Sequence, residues 1–228
     1  MVWMTVYHFG FDLNHFAYLK ANFYDDPFWT LQRSAIVSLF LFCAGLSQAV
    51  ALQRGQSWSR FWRRWGQIAF CALLVTAGSY AIYPGSFIYF GILHGIALML
   101  ILVRWTVGWG RWLWLLGLLP WGLQFAAPYL HLTWASLDFL NSPAFNWLGL
   151  ISRKPATEDY VPLLPWLGVM WWGVAAGLWI LKHRPEWLKR EVASPLRPLA
   201  VLGRWSLSYY MLHQPVLMGL LMLASLLR

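Results

Sequence analysis

Between Arg33 and Arg54 the chain runs for twenty residues without a charge, "SAIVSLFLFCAGLSQAVALQ". Apolar stretches of about this length recur along the sequence. At about 1.5 Å per residue, roughly 20 helical residues cross the ~30 Å hydrocarbon layer of a bilayer. A membrane barrel would instead show alternating segments of about 10 residues, and alternation is weak here. The chain is therefore predicted to be all-α, a polytopic membrane helical bundle of about seven spans. The spans are read at 1–19, 33–52, 65–83, 86–103, 112–130, 163–181 and 199–226. Turns such as "YPGS" (83–86) separate neighbours. Neither a fixed-period repeat nor a low-complexity linker divides the chain, so 1–228 is read as a single domain.

Composition agrees. Of the 228 residues, 60% are hydrophobic and 11% charged, with mean hydropathy +0.52; soluble domains carry about 25% charged residues. There are 18 Trp, a residue that favours the bilayer interface because its ring is apolar and its N–H polar. Cys43 and Cys71 both lie in apolar runs, which argues against a disulfide framework and for small core residues. No cleavable signal peptide is evident, since no basic segment precedes the first apolar run.

The net charge of +9 is distributed by side. The loops after the second, fourth and sixth spans hold Arg54, Arg60, Arg63, Arg64, Arg104, Arg111, Lys182, Arg184, Lys189, Arg190, Arg197 and Arg204. The other side has Lys20, Arg33, Arg153, Lys154 and Arg228. Twelve of the 17 basic residues thus share one face, and the positive-inside rule makes it cytoplasmic. Met1 then starts inside and Arg228 ends outside, with Asp25, Asp26, Asp138, Glu158 and Asp159 also outside. Most of these charges need no explanation beyond topology. The cluster "RFWRRW" (60–65) is the best candidate to bind a polyanionic cytosolic ligand or anionic lipid. No soluble module presents the charge, so nucleic acid is not an expected partner. Membrane lipids are, and a homo-oligomer is compatible with the pattern.

Ionisable residues inside the spans stand out, because an unpaired charge in hydrocarbon is costly and such residues commonly mark function. In "VYHFGFDLNHF" (6–16), His8, Asp12 and His15 follow at i, i+4 and i+7, on one helix face. His94 lies in "FIYFGILHGIAL" (87–98) and His213 in "SLSYYMLHQPV" (206–216), where Pro215 leaves the Met211 carbonyl without its helical donor. Span boundaries put the three histidines His8, His94 and His213 at broadly similar depth. A histidine with a carboxylate beside it is apparatus for general base catalysis. HExxH, CxxC, GxGxxG and Walker patterns are all missing, and no metal is expected. Bis-histidine haem would want paired imidazoles on facing helices, and only the first span carries more than one.

These blocks, with "RSAIVSLFLFCAGLS" (33–47), "DYVPLLPWLGV" (159–169) and "GRWSLSYYMLHQPVL" (203–217), together resemble the bacterial membrane family of the heparan-α-glucosaminide N-acetyltransferase catalytic domain. That family is related to the acyltransferase-3 superfamily. The resemblance runs over nearly the whole chain with its blocks in order. It implies an acyltransferase of the bacterial inner (plasma) membrane. Acetyl-CoA would be the cytosolic co-substrate, and the acceptor an amine or hydroxyl of a sugar or glycan reached from the other side. His8 is then the leading catalytic residue, oriented by Asp12, with His94, His213 or Tyr210 donating to the developing oxyanion. Arg60, Arg63, Arg64, Arg104, Arg111 and Arg204 are the candidates for the CoA phosphates. His15, Tyr210, Gln214 and Asp159 are the candidates for the acceptor. The long connector 131–162, with Trp134, Asp138, Asn141 and Asp159, is expected to cover the acceptor site. The chain departs from the family at its start. A "D-x-x-R-G" block normally lies about a dozen residues before the histidine, whereas Met1 is only seven residues before His8. A first helix that is truncated or unusually short is the expectation. The alternative function is a transporter or flippase for lipid or glycan precursors that uses the His and Asp residues as a proton relay. No inverted repeat supports it.

Overall fold

A computed structural model describes residues 1–189 and 191–227; Arg190 and Arg228, both counted in the charge pattern, lie outside the described residues. Ten α-helices are present among them: α1 (Val2–His15), α2 (Pro27–Gln53), α3 (Trp58–Ile82), α4 (Ile92–Thr106), α5 (Leu113–Leu116), α6 (Leu118–Thr133), α7 (Leu163–His183), α8 (Glu186–Lys189), α9 (Arg197–Arg204) and α10 (Ser206–Leu226). Every expected span is helical in part. Five helical stretches are long and apolar enough to cross a membrane: Pro27–Gln53, Trp58–Ile82, Ile92–Leu116, Leu163–His183 and Ser206–Leu226. The protein is an all-helical, multi-pass membrane protein. The remaining two expected spans are the shorter helices α1 and α6.

Local chemistry explains both short helices. At the end of α1, Ala17 takes a left-handed φ of 61°, and the Tyr18 N–H bonds back to the Leu13 carbonyl at 2.8 Å, a Schellman-type stop. Asn14 Oδ1 accepts from the Ala21 N–H at 2.8 Å and holds the reversal. The fifth span is interrupted between α5 and α6 because Pro120 cannot donate to the Leu116 carbonyl. Just before it, the chain passes Gly110, whose φ of 55° breaks the helical path.

Contacts divide the chain into two compact units, Met1–Val37 with Lys189–Arg228, and Ser38–Leu188. In the first, α1 packs on α10. Tyr7 meets Phe23 and Trp29 edge-on, and Phe23 stacks on Trp29 with ring centroids 4.0 Å apart. Asp26 Oδ1 accepts from the Phe28 N–H at 2.8 Å, with Pro27 opening α2, the usual chemistry of a helix start.

In the second unit α4 and α7 supply most of the core, including Met99, Val103, Met170 and Val174. The crossing of α2 with α7 is made by small residues. A Cβ on Gly173 would lie 2.1 Å from the Phe42 carbonyl oxygen, and one on Gly45 would lie 2.1 Å from that of Met170. Such close backbone approach is how membrane helices gain packing without a hydrophobic driving force. Indole N–H groups tie the helices together: Trp65 donates to the Ala97 carbonyl at 2.8 Å and Trp171 to Thr106 Oγ1 at 2.9 Å. Outward-facing apolar side chains such as Phe70, Leu73, Leu212 and Leu223 suit lipid contact. Cys43 joins them; it is exposed rather than in the core, and Cys71 is half-buried.

The fourth span begins later than the sequence pattern suggests, at Ile92 instead of residue 86. Residues 87–90 are taken by another partner before they can coil. The Phe87 carbonyl accepts from Thr157 Oγ1 at 2.8 Å, the Ile88 N–H donates to Ser79 Oγ at 2.9 Å, and Phe90 pairs with Tyr160 in a parallel bridge.

Candidate functional site

The first unit gathers the polar residues of α1 and α10. Asp12 is 1% exposed, and its Oδ1 accepts from Gln214 Nε2 at 2.6 Å. The side-chain partner seen for Asp12 is this amide, and His15 acts on its carboxylate through charge. His8 lies edge-on to His213, ring centroids 5.1 Å apart. His213 Nδ1 lies 2.7 Å from the Tyr210 carbonyl; a carbonyl only accepts, so Nδ1 carries the proton. That leaves the lone pair of a neutral imidazole on Nε2. His213 Nε2, Asp12 Oδ2 and Gln214 Oε1 are buried and have no hydrogen-bond partner among the described residues. Buried polar atoms are almost always paired, so these three atoms on two facing helices can each accept a further hydrogen bond.

Tyr209 fixes the orientation of this cluster. Its ring lies parallel to His213, at 6° and 5.9 Å. Its hydroxyl bonds Thr5 Oγ1. Thr5 already donates to the Met1 carbonyl at 3.1 Å, so Tyr209 is the donor. Tyr210 packs against His213 with centroids 5.6 Å apart. His15 is the last residue of α1 and is exposed, edge-on to Phe16.

His94 belongs to the second unit and sits in the first turn of α4, not two turns down a span. The Gly91 N–H donates to its Nδ1 at 3.3 Å. Nε2–H therefore faces Thr76 Oγ1 at 3.0 Å, whose own proton goes to the Ile88 carbonyl at 2.8 Å. Both ring nitrogens are thus engaged in holding the start of α4. Asp159 serves the same helix end, accepting from the Ile92 N–H at 2.8 Å, where a carboxylate meets the positive end of the helix dipole.

The connector after α6 is clipped to itself. Asn141 Nδ2 donates to Asp138 Oδ1 at 2.8 Å, and Arg153 pairs with the same carboxylate at 3.3 Å; the Asn141 amide first, then Arg153, hold the Asp138 carboxyl below its usual range. Tyr160 donates to the Asn146 carbonyl, and burial pushes its phenol well up. His131 Nε2 donates to the Leu150 carbonyl at 3.1 Å, while His183 Nδ1 donates to that of Trp179 at 3.1 Å. Trp134 is exposed.

The second unit also holds a cavity of about 530 Å³ at the α2–α3 turn, lined by Leu46, Val50, Arg54, Gln56, Arg60 and Leu188 among others. Arg60 is steadied by the Gly55 carbonyl at 2.8 Å. Arg104 is buried, donates to the Gln56 carbonyl at 2.8 Å and lies over the Trp58 ring at 4.7 Å; it holds Gln56, which lines the cavity. Arg63 and Arg64 are exposed beyond it, Arg64 bonding Gln67 at 3.1 Å. Arg111 is exposed and lies over Trp112 at 5.6 Å. Arg204 belongs to α9 of the first unit.

The model of one protein family, heparan-alpha-glucosaminide N-acetyltransferase, catalytic, matches residues 1–215. The chain belongs to that family. No curated protein and no solved structure matches it. The match runs from before His8 to just past Gln214, so the α1–α10 polar cluster lies inside the part that defines membership. Family membership makes the protein a membrane acetyltransferase in a lipid environment. No group of three or more His, Cys, Asp or Glu side chains able to hold a metal occurs among the described residues.

Three residues of these sites escaped the sequence pattern. Arg54 was legible only as a loop charge, although it follows the α2 end and precedes Gly55, whose φ is 70°. Gln56 carried no signal. Tyr209 could be read as sharing one helix side with Ser206, Tyr210 and His213, but its bond to Thr5 could not, since Thr5 comes from the other end of the chain.

Proposed function

We propose that the protein moves an acetyl group from acetyl-CoA to an amine or hydroxyl of a sugar or glycan on the opposite side of a bacterial plasma membrane. Both compact units would act as one catalytic domain, which the family match across 1–215 supports. The observation that carries the reading is the buried, unpartnered Nε2 of His213 beside His8. A neutral imidazole nitrogen with its tautomer set from behind is what a general base requires.

In this reading His8 leads and His213 is the second imidazole of the pair. They take the proton from the acceptor nitrogen or oxygen. Asp12, held by Gln214, keeps a negative charge nearby that favours the imidazolium so formed. Tyr210 and His15 line the acceptor side. His94 and Asp159 hold the start of α4 in the second unit. Arg54 and Arg60 are the side chains placed to hold CoA phosphates, since two guanidiniums on a cavity of this size suit a nucleotide; Arg104 orders the cavity wall. Arg63, Arg64, Arg111 and Arg204 add charge that attracts the polyanion. Acetyl-CoA, when bound, supplies the acetyl group as an activated thioester. The basic side would be cytoplasmic, with Met1 inside and the C-terminus outside.

The test is radiolabelled acetyl transfer from acetyl-CoA to glucosamine or a glycan by purified protein. His8→Ala is expected to stay folded and lose transfer by more than about a hundredfold, as removal of a general base does. Full activity in a folded His8→Ala protein would remove His8 from the chemistry.

A further inference from the structure

The helix α9 (Arg197–Arg204) has two faces. Successive residues are 100° apart, so Arg197 and Arg204 stand together while Pro198, Leu199 and Leu202 stand opposite. Leu199 is 51% exposed and Trp205, immediately after the helix, is 66% exposed. Leu196, just before it, is also exposed. Neither the Arg197 nor the Arg204 side chain has an ion pair or hydrogen bond among the described residues. A largely exposed apolar face, with Leu202 half-buried, and a basic face with no counter-charge thus share one short helix. Trp205 alone separates α9 from α10, which is long and apolar enough to span a membrane. The helix therefore sits within one turn of a bilayer surface.

We propose that α9 is an interfacial helix that binds anionic phospholipid headgroups, its leucine face in the acyl boundary and Arg197, Arg204 and the preceding Lys189 on the lipid phosphates. Amphipathic helices with basic polar faces and an aromatic anchor lie in the interface this way. Each basic residue near an anionic surface strengthens the attachment about fivefold, as each adds ~1 kcal/mol. A zwitterionic surface offers the leucine face a place but gives the arginines no net attraction. The contact is measured without acetyl transfer.

The experiment is hydrogen–deuterium exchange of the full-length protein in nanodiscs, either all phosphatidylcholine or with about one-third phosphatidylglycerol, following amides 194–205. The anionic lipid is expected to slow their exchange roughly tenfold, leaving α4 and α7 unchanged. In the double variant Arg197→Gln, Arg204→Gln the two lipids should give equal rates. These are exposed positions, so the variant folds, and unchanged exchange in α7 verifies that. Equal rates for the unmodified protein in both lipids would overturn the proposal, as would a lipid difference that survives the double substitution. Protection that instead follows protein concentration in detergent would assign the face to a second copy of the chain and overturn it equally.

Discussion

The ring of Tyr209 backs His213 while its hydroxyl reaches Thr5 on α1, so one side chain couples His213 to the facing helix. Tyr209→Phe keeps the stacked ring and removes only the hydroxyl. We expect it to cost about 1 kcal/mol in chemical denaturation, the net worth of a buried hydrogen bond. Thr5→Val should cost a similar amount. The double variant should cost little more than either alone, because no orphaned partner remains; additive losses would show that the bond is not made. If Tyr209 positions His213, kcat falls several-fold in Tyr209→Phe while the acceptor KM stays in place. Some of this was legible beforehand. Histidines in apolar runs announce themselves by their cost in hydrocarbon, which singled out His8, His94 and His213. Their partners did not, because Gln214, Thr5 and Thr76 come from other helices, and helical spacing pairs residues only along one helix.

Helices were readable from apolar length, but where they begin and end depended on competing bonds. The start of α4 is the clearest case. "FIYF" is apolar enough to continue a span, yet Thr157 and Tyr160 draw its backbone into an extended pairing, and the helix waits for Asp159 to cap it at Ile92. The α2–α7 crossing was half legible. Glycines spaced four apart, Gly173 and Gly177, are visible in "WWGVAAGLW", but that Gly45 and the Phe42 carbonyl face them is a tertiary fact. This crossing has no slack. Gly173→Val places carbon where the Phe42 carbonyl oxygen stands, with backbone on the other side that cannot rotate away. The expected cost is about 3 kcal/mol, the upper range for overpacking, read as a lower thermal midpoint in detergent. Gly122→Ala is the matched control. No heavy atom lies within 4 Å of a Cβ there, and alanine is the better helix former by about 1 kcal/mol. Equal loss from both would show that the crossing is not close-packed.

On the scale of the whole molecule, fold class and family both followed from apolar run length and block order, features that survive without side-chain geometry. Sidedness rests on charge alone. The basic residues cluster after α2, α4 and α7, and a positively charged loop is not readily translocated, so the proposed orientation keeps the loops that hold them in the cytoplasm. The cavity lined by Arg54 and Arg60 opens on that same set of loops, where a cytosolic polyanion would meet it. Single-cysteine labelling decides the matter. With Cys43 and Cys71 replaced by alanine, Lys154→Cys in the connector after α6 should react with a membrane-impermeant maleimide in intact cells. Glu191→Cys, after α8, should react only once the membrane is opened. Both positions are exposed, so failure to react reports sidedness and not burial. A reversed pattern would put the basic cavity outside, beyond the reach of cytosolic acetyl-CoA. The proposed direction of transfer would fall with it, while the His8–His213 pair would remain available for chemistry with a donor from the other side.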